Sequence, residues 1–130
     1  MVRIITTILG LIVFSACSAS YDELKALNTV NDDSFKNNLL KLYKEKAIFE
    51  AEQMHDWDSA KLYSEKALSA DLGIEIMPEK ISHWNLPKEH ISELTQSYNN
   101  LMTIYNEAKL IDHYNLAVAI ISLDCWAEQQ

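Results

Sequence analysis

The sequence predicts an all-α domain of four main helices in two antiparallel hairpins. Two observations carry the prediction. Apolar residues recur at alternating spacings of three and four over long stretches, the period of a helix with one buried face. Only two glycines and two prolines occur in 130 residues, which leaves little turn chemistry for a sheet.

The first helix spans about Ser34 to Met54, with Leu40, Tyr43, Ala47, Ala51 and Met54 as its stripe and Phe35, Leu39, Leu42 and Phe49 widening the face. His55-Asp56 interrupts it, and Asp56 is placed to cap a second helix by accepting a hydrogen bond from its first turn. That helix carries Trp57, Ala60, Tyr63 and Ala67 on one side and stops near Gly73. So short a connection folds the two helices back on each other. Ala60 and Ala67, seven apart, permit the close helix approach of the second helix of a tetratricopeptide repeat, although Ile48 stands where the first helix of such a repeat has a small residue. One half-matched repeat is not an array. The expectation is tetratricopeptide-like packing reached by convergence.

Residues 73–87 contain Gly73, Pro78 and Pro87 among Ile76, Met77, Ile81, Trp84 and Leu86. A connection this apolar predicts a segment packed over the core, with one helical turn after Pro78. The third helix starts at Lys88 and has the sharpest periodicity of the chain: Ile91, Leu94, Tyr98, Leu101, Tyr105 and Ala108. Asp112 is placed to cap a fourth helix. Its stretch Leu116 to Ile121 is apolar on all sides, as the most buried helix of a small bundle should be, and too short to cross a membrane.

Ahead of these elements the chain carries a leader. Arg3 precedes an apolar run from Ile4 to Phe14, followed by Ser15-Ala16-Cys17. A run of about eleven residues fits the apolar core of a secretory signal and falls short of the roughly twenty needed to span a bilayer. A cysteine directly after small residues can take a diacylglycerol thioether, and cleavage before it frees an amine for a third acyl chain. Two or three chains anchor stably where one is marginal. The other processing route is an ordinary cleaved signal with Cys17 unmodified; Phe14 fills the position where leucine is usual in lipoproteins, with a side chain of similar bulk. The lipoprotein route divides the chain into a signal peptide (1–16), a lipidated N-terminus and flexible tether (17–33), and a helical domain (34–130). Ser18 lacks the aspartate that commonly retains enterobacterial lipoproteins at the inner membrane, which favours the outer membrane.

Removing the first 16 residues leaves 114, one domain's worth. The net charge of −8 becomes −9 without Arg3, which repels phosphate backbones, so nucleic acid is not an expected partner. With Cys17 lipidated, Cys125 has no partner for an internal disulfide. His55, His83, His90 and His113 lie far apart without a helical pair at ligand spacing, so no metal is expected, with His83 and His90 the only pair worth testing. There is no glycine-rich phosphate loop and no nucleophile elbow, and no cofactor is implied. Asp124-Cys125-Trp126 is the only cluster resembling a reactive site, but a neighbouring carboxylate disfavours a thiolate, so Cys125 reads as structural or unpaired. No enzyme is expected. Tyr43, Trp57, Tyr63, Tyr98 and Tyr105 have two readings at helical spacing: core filler, or the lining of a groove for a protein or peptide.

Several segments together resemble the N-terminal helical region of alphaproteobacterial lipoproteins of the outer-membrane protein A (OmpA) family. They are Tyr21-Asp22-Glu23-Leu24-Lys25-Ala26-Leu27, Met54-His55-Asp56-Trp57 with Ala60, Glu65-Lys66-Ala67, Pro78-Glu79 with Trp84, and Asp124-Cys125-Trp126-Ala127-Glu128-Gln129-Gln130. The likeness covers nearly the whole mature chain. It implies lipid attachment at Cys17 and a bacterial envelope location, more specifically the outer membrane facing the periplasm. Family members continue into an OmpA-like domain that binds peptidoglycan, whereas this chain stops at Gln130. Peptidoglycan binding is therefore not expected of it, and a truncated or split gene is. High Lys, Ile and Asn usage fits the AT-rich genome of a rickettsia-like bacterium. The expected function is a non-catalytic envelope lipoprotein with a structural role, joined to the membrane by covalent lipid. The alternative is a tetratricopeptide-like module binding an envelope protein or peptide at the periplasmic face.

Overall fold

The computed structural model describes residues 19–30 and 32–130, and every regular element among them is helical. Helix α1 covers residues 19–26, α2 Phe35–Phe49, α3 Trp57–Asp71, α4 Lys88–Ile111 and α5 His113–Glu128, with a π-turn at Glu50–Met54 and a 3₁₀ turn at Ile81–His83. The signal peptide expected over 1–16 and the lipid cysteine, Cys17, lie outside the described residues.

The sequence expectation of a spacer over 17–33 is corrected within this range. Residues 19–26 are helical, and Tyr21 and Leu24 are buried. Helix α1 offers only two apolar contacts in eight residues, too few for a visible stripe. Polar bonds add to its hold: Tyr21 donates to Glu52 Oε1 at 2.9 Å, Lys25 reaches the same oxygen at 2.6 Å, and Lys44 Nζ donates to the Leu27 carbonyl at 2.5 Å.

Helix α2 opens at Ser34, whose side chain accepts the Asn37 N–H, and buries Leu39, Leu40, Tyr43 and Ala47. It runs directly into the π-turn, where the Asp56 N–H donates to the Glu50 carbonyl at 2.9 Å. A π-turn rotates less per residue than an α-helix. Ala51 therefore stays on the buried face while Met54, expected on the same stripe, swings out and is 59 % exposed. Phe49 is exposed as well.

Asp56 caps α3 as expected, accepting from the N–H groups of Asp58 and Ser59. Ala60, Tyr63, Ser64, Ala67 and Ala70 form the buried face of α3, which packs along α2. Just past the Leu72 cap, Gly73 closes the helix with a φ of 77° that only glycine adopts without strain. Gly73 N–H bonds the Ala70 carbonyl and Ile74 N–H the Ser69 carbonyl, each at 3.0 Å, which satisfies two of the free carbonyls of the last turn.

The following connection lies over the core as expected, with Ile76 and Ile81 buried and Trp84 and Leu86 packed against them. The hydroxyl of Tyr105 in α4 donates to the Ile76 carbonyl at 2.9 Å. Of the α4 stripe, Leu94, Leu101 and Tyr105 are buried, Tyr98 and Ala108 half-buried, and Ile91 is 43 % exposed. Ile91 falls in the first turn, where it borders a surface cavity shared with Ile81, Trp84 and Leu86. Asp112 caps α5 by accepting the Asn115 N–H at 3.4 Å. Leu116, Ala117 and Ile120 are buried, and α5 packs against both α2 and α4.

Candidate functional site

The chemistry-bearing side chains converge on the inner face of α5. Asp124 sits there because it continues the buried row Leu116, Ile120, Leu123 at helical spacing. A carboxylate on that face must be fully hydrogen-bonded. It is. Oδ2 accepts the Tyr43 hydroxyl from α2 at 2.7 Å and Lys66 Nζ from α3 at 2.5 Å, and Oδ1 accepts the Glu79 backbone N–H at 2.6 Å. Lys66 also donates to the Met77 carbonyl at 3.1 Å and pairs with Glu79 at 3.4 Å.

Burial, then the Asp124 charge, pushes the Tyr43 phenol well above its ordinary value, so the hydroxyl remains a donor. Burial acts to raise Glu79, but the His83 hydrogen bond at 2.5 Å and Lys66 outweigh it and hold its carboxyl below the usual range. Asp124 is almost without solvent contact. The cluster joins α2, α3, α5 and the 73–87 connection, with Asp124 at its buried centre and Lys66 and Glu79 partly exposed at its edge.

A second cluster lies where the π-turn meets the end of α5. Carboxylate oxygens of Glu50, Asp56 and Glu128 lie within 4.8 Å of one another. Lys46 forms an ion pair with Glu50, and Ser59 Oγ donates to Asp56 at 3.1 Å. Burial, then the Glu50 charge, raises the Glu128 carboxyl. This is the only group of acidic or histidine side chains among the described residues with ligand-like spacing, and it contains neither His83 nor His90. The ammonium of Lys46 already supplies a cation to it.

The five aromatics do not come together as a groove. Tyr43, Tyr63 and Tyr105 are buried, with the first two rings stacked at 6.0 Å, and Tyr98 is half-buried. Only Trp57 is exposed, at 46 %, and its ring meets Tyr21 edge-on at 5.7 Å. The groove expectation is corrected to core packing for the three buried tyrosines: Tyr43 and Tyr63 face each other across α2 and α3, and Tyr105 of α4 packs edge-on against Phe35. Cys125 is a free, half-buried thiol accepting from Gln129 Nε2 at 3.4 Å, while the Asp124 side chain is directed into the core.

Glu50 escaped the sequence reading, and Lys66 and Glu79 entered it only within the resembling segments, with no site role. Glu50 lies seven residues after Tyr43, on the buried face, and that position was the available signal; nothing local marks Lys66 or Glu79 as partners of Asp124. No helix among the described residues is long and apolar enough to cross a membrane. The chain matches no family model, no curated protein and no solved structure.

Proposed function

We propose that this protein is a non-catalytic bacterial cell-envelope lipoprotein, anchored by lipid at Cys17 and holding a small helical domain at the outer membrane's periplasmic face. The observation that carries the reading is the order Arg3, apolar Ile4–Phe14, Ser15-Ala16-Cys17, followed at residue 19 by a folded helix. The saturated, buried Asp124 cluster supports a structural role over a catalytic one. The resemblance to the helical region of OmpA-family lipoproteins belongs to the same proposal. So does the finer architecture, α2 paired with α3 and α4 with α5 as tetratricopeptide-like hairpins, which the fully buried Ala60 and Ala67 support by allowing close approach.

Metabolic labelling with palmitate tests the anchor. Wild type should take up label and Cys17→Ala should not. Equal labelling of the two would refute the proposal.

A further inference from the structure

We infer that the turn joining α2 to α3, with exposed Met54 and Trp57 at its apex, lies against the membrane in which the lipid is seated. The inference rests on lipid attachment at Cys17. Only Ser18 separates that residue from α1. A chain advances at most about 3.3–3.6 Å per residue, so the four steps from Cys17 to Tyr21 span no more than about 14 Å. Tyr21 is not free to swing. Its ring packs on Trp57 at 5.7 Å, its hydroxyl is held by Glu52, and it is buried with Ala51 and Ala60. A lipid at Cys17 would thus enter within about 14 Å of Tyr21, at the end of the molecule where Tyr21 meets the Met54–Trp57 turn.

That end has the side chains an interface needs. Trp57 keeps 46 % and Met54 59 % of their surface exposed, and tryptophan is favoured at the headgroup level, where its ring is part apolar and part polar. Asp22, Glu23 and Asp58 are also exposed there and repel anionic headgroups, so the occupant fitted is a zwitterionic leaflet. Two side chains are a small contact for independent binding. Covalent tethering makes contact intramolecular, so they orient the domain and do not recruit it.

The test uses the lipidated protein from cells, incorporated into phosphatidylcholine vesicles whose acyl chains carry bromine near the headgroup, a contact quencher of tryptophan. Wild type is compared with Trp57→Phe, which isolates the Trp57 emission from that of Trp84 and Trp126. Interfacial apolar faces sit about 5–10 Å into the headgroup boundary, so bromine should reduce the Trp57 component roughly two-fold. Aqueous iodide should quench it less in vesicles than in detergent-free Cys17→Ala protein. A palmitate-labelled protein that floats with vesicles, yet keeps its Trp57 emission with bromine and loses it to iodide, would overturn this orientation alone. Absence of palmitate label would overturn the anchor and the orientation together.

Discussion

Asp124 in α5 accepts the hydroxyl of Tyr43 in α2 at 2.7 Å, across 81 residues of sequence. The same carboxylate oxygen holds Lys66 of α3. Removing one member of a buried charged set leaves the other uncompensated, typically at about 3–5 kcal/mol. Asp124→Ala should therefore lower unfolding stability by about that amount. Tyr43→Phe, which deletes one hydrogen bond to a charged group, should cost about 1.5–3 kcal/mol. Urea denaturation followed by circular dichroism measures both, and a Tyr43→Phe loss equal to that of Asp124→Ala would show that Lys66 adds nothing to the cluster.

Glu128 is raised from its ordinary carboxyl value of 4.5 by burial and by Glu50. A raised acid binds its proton more readily in the folded state, so it favours folding at low pH. This contribution is lost as pH rises from about the unfolded value through the folded one. Glu128→Gln should flatten that part of the stability profile and raise the melting temperature at neutral pH. Thermal melts between pH 4 and pH 8 check this, and an unchanged profile would exclude Glu128 as its source.

Gly73 adopts φ 77°, and a Cβ there would meet no atom within 4 Å. Any cost of Gly73→Ala is therefore conformational. A left-handed alanine is disfavoured by about 1–2 kcal/mol. The midpoint in urea should fall accordingly, with the slope of the transition unchanged; a larger loss would reveal a contact that the free space around Gly73 rules out.

Leu94 is fully buried and Ile91, one turn earlier on the same stripe, is 43 % exposed. Leu94→Ala should cost about 2–5 kcal/mol. Ile91→Ala should cost clearly less, because much of its side chain is already in contact with water. Paired denaturation curves separate the two, and equal losses would place Ile91 in the core.

Helical character, the caps at Asp56 and Asp112 and the stop at Gly73 were legible because each is local, a periodicity or one side chain beside its own helix end. Helix α1 was not. Tyr21 is held by Glu52 of the π-turn and Leu24 joins the main core, partners that no window of eight residues contains. Periodicity gave Met54 the wrong face because it assumes one rotation per residue throughout, and the π-turn breaks that assumption. Tyr43, Tyr63 and Tyr105 were located as a set, but whether a tyrosine faces a core or a groove depends on the neighbouring helix. The Asp124 cluster was half visible: its carboxylate stands out on an apolar face, while its partners are 45 to 81 residues away.

The long reach of Asp124 also bears on when the core can form. A chain extended as far as the end of α4 has Tyr43 and Lys66 in place but no carboxylate to receive them, and α2 lacks the neighbour that α5 provides. Packing that waits for a distant segment is slow to nucleate, because the intervening loop must close first. For the lipoprotein proposed above, threaded outward through a translocation pore, that delay would keep the chain unfolded on the side where folding would jam it and complete the core where the last helix emerges.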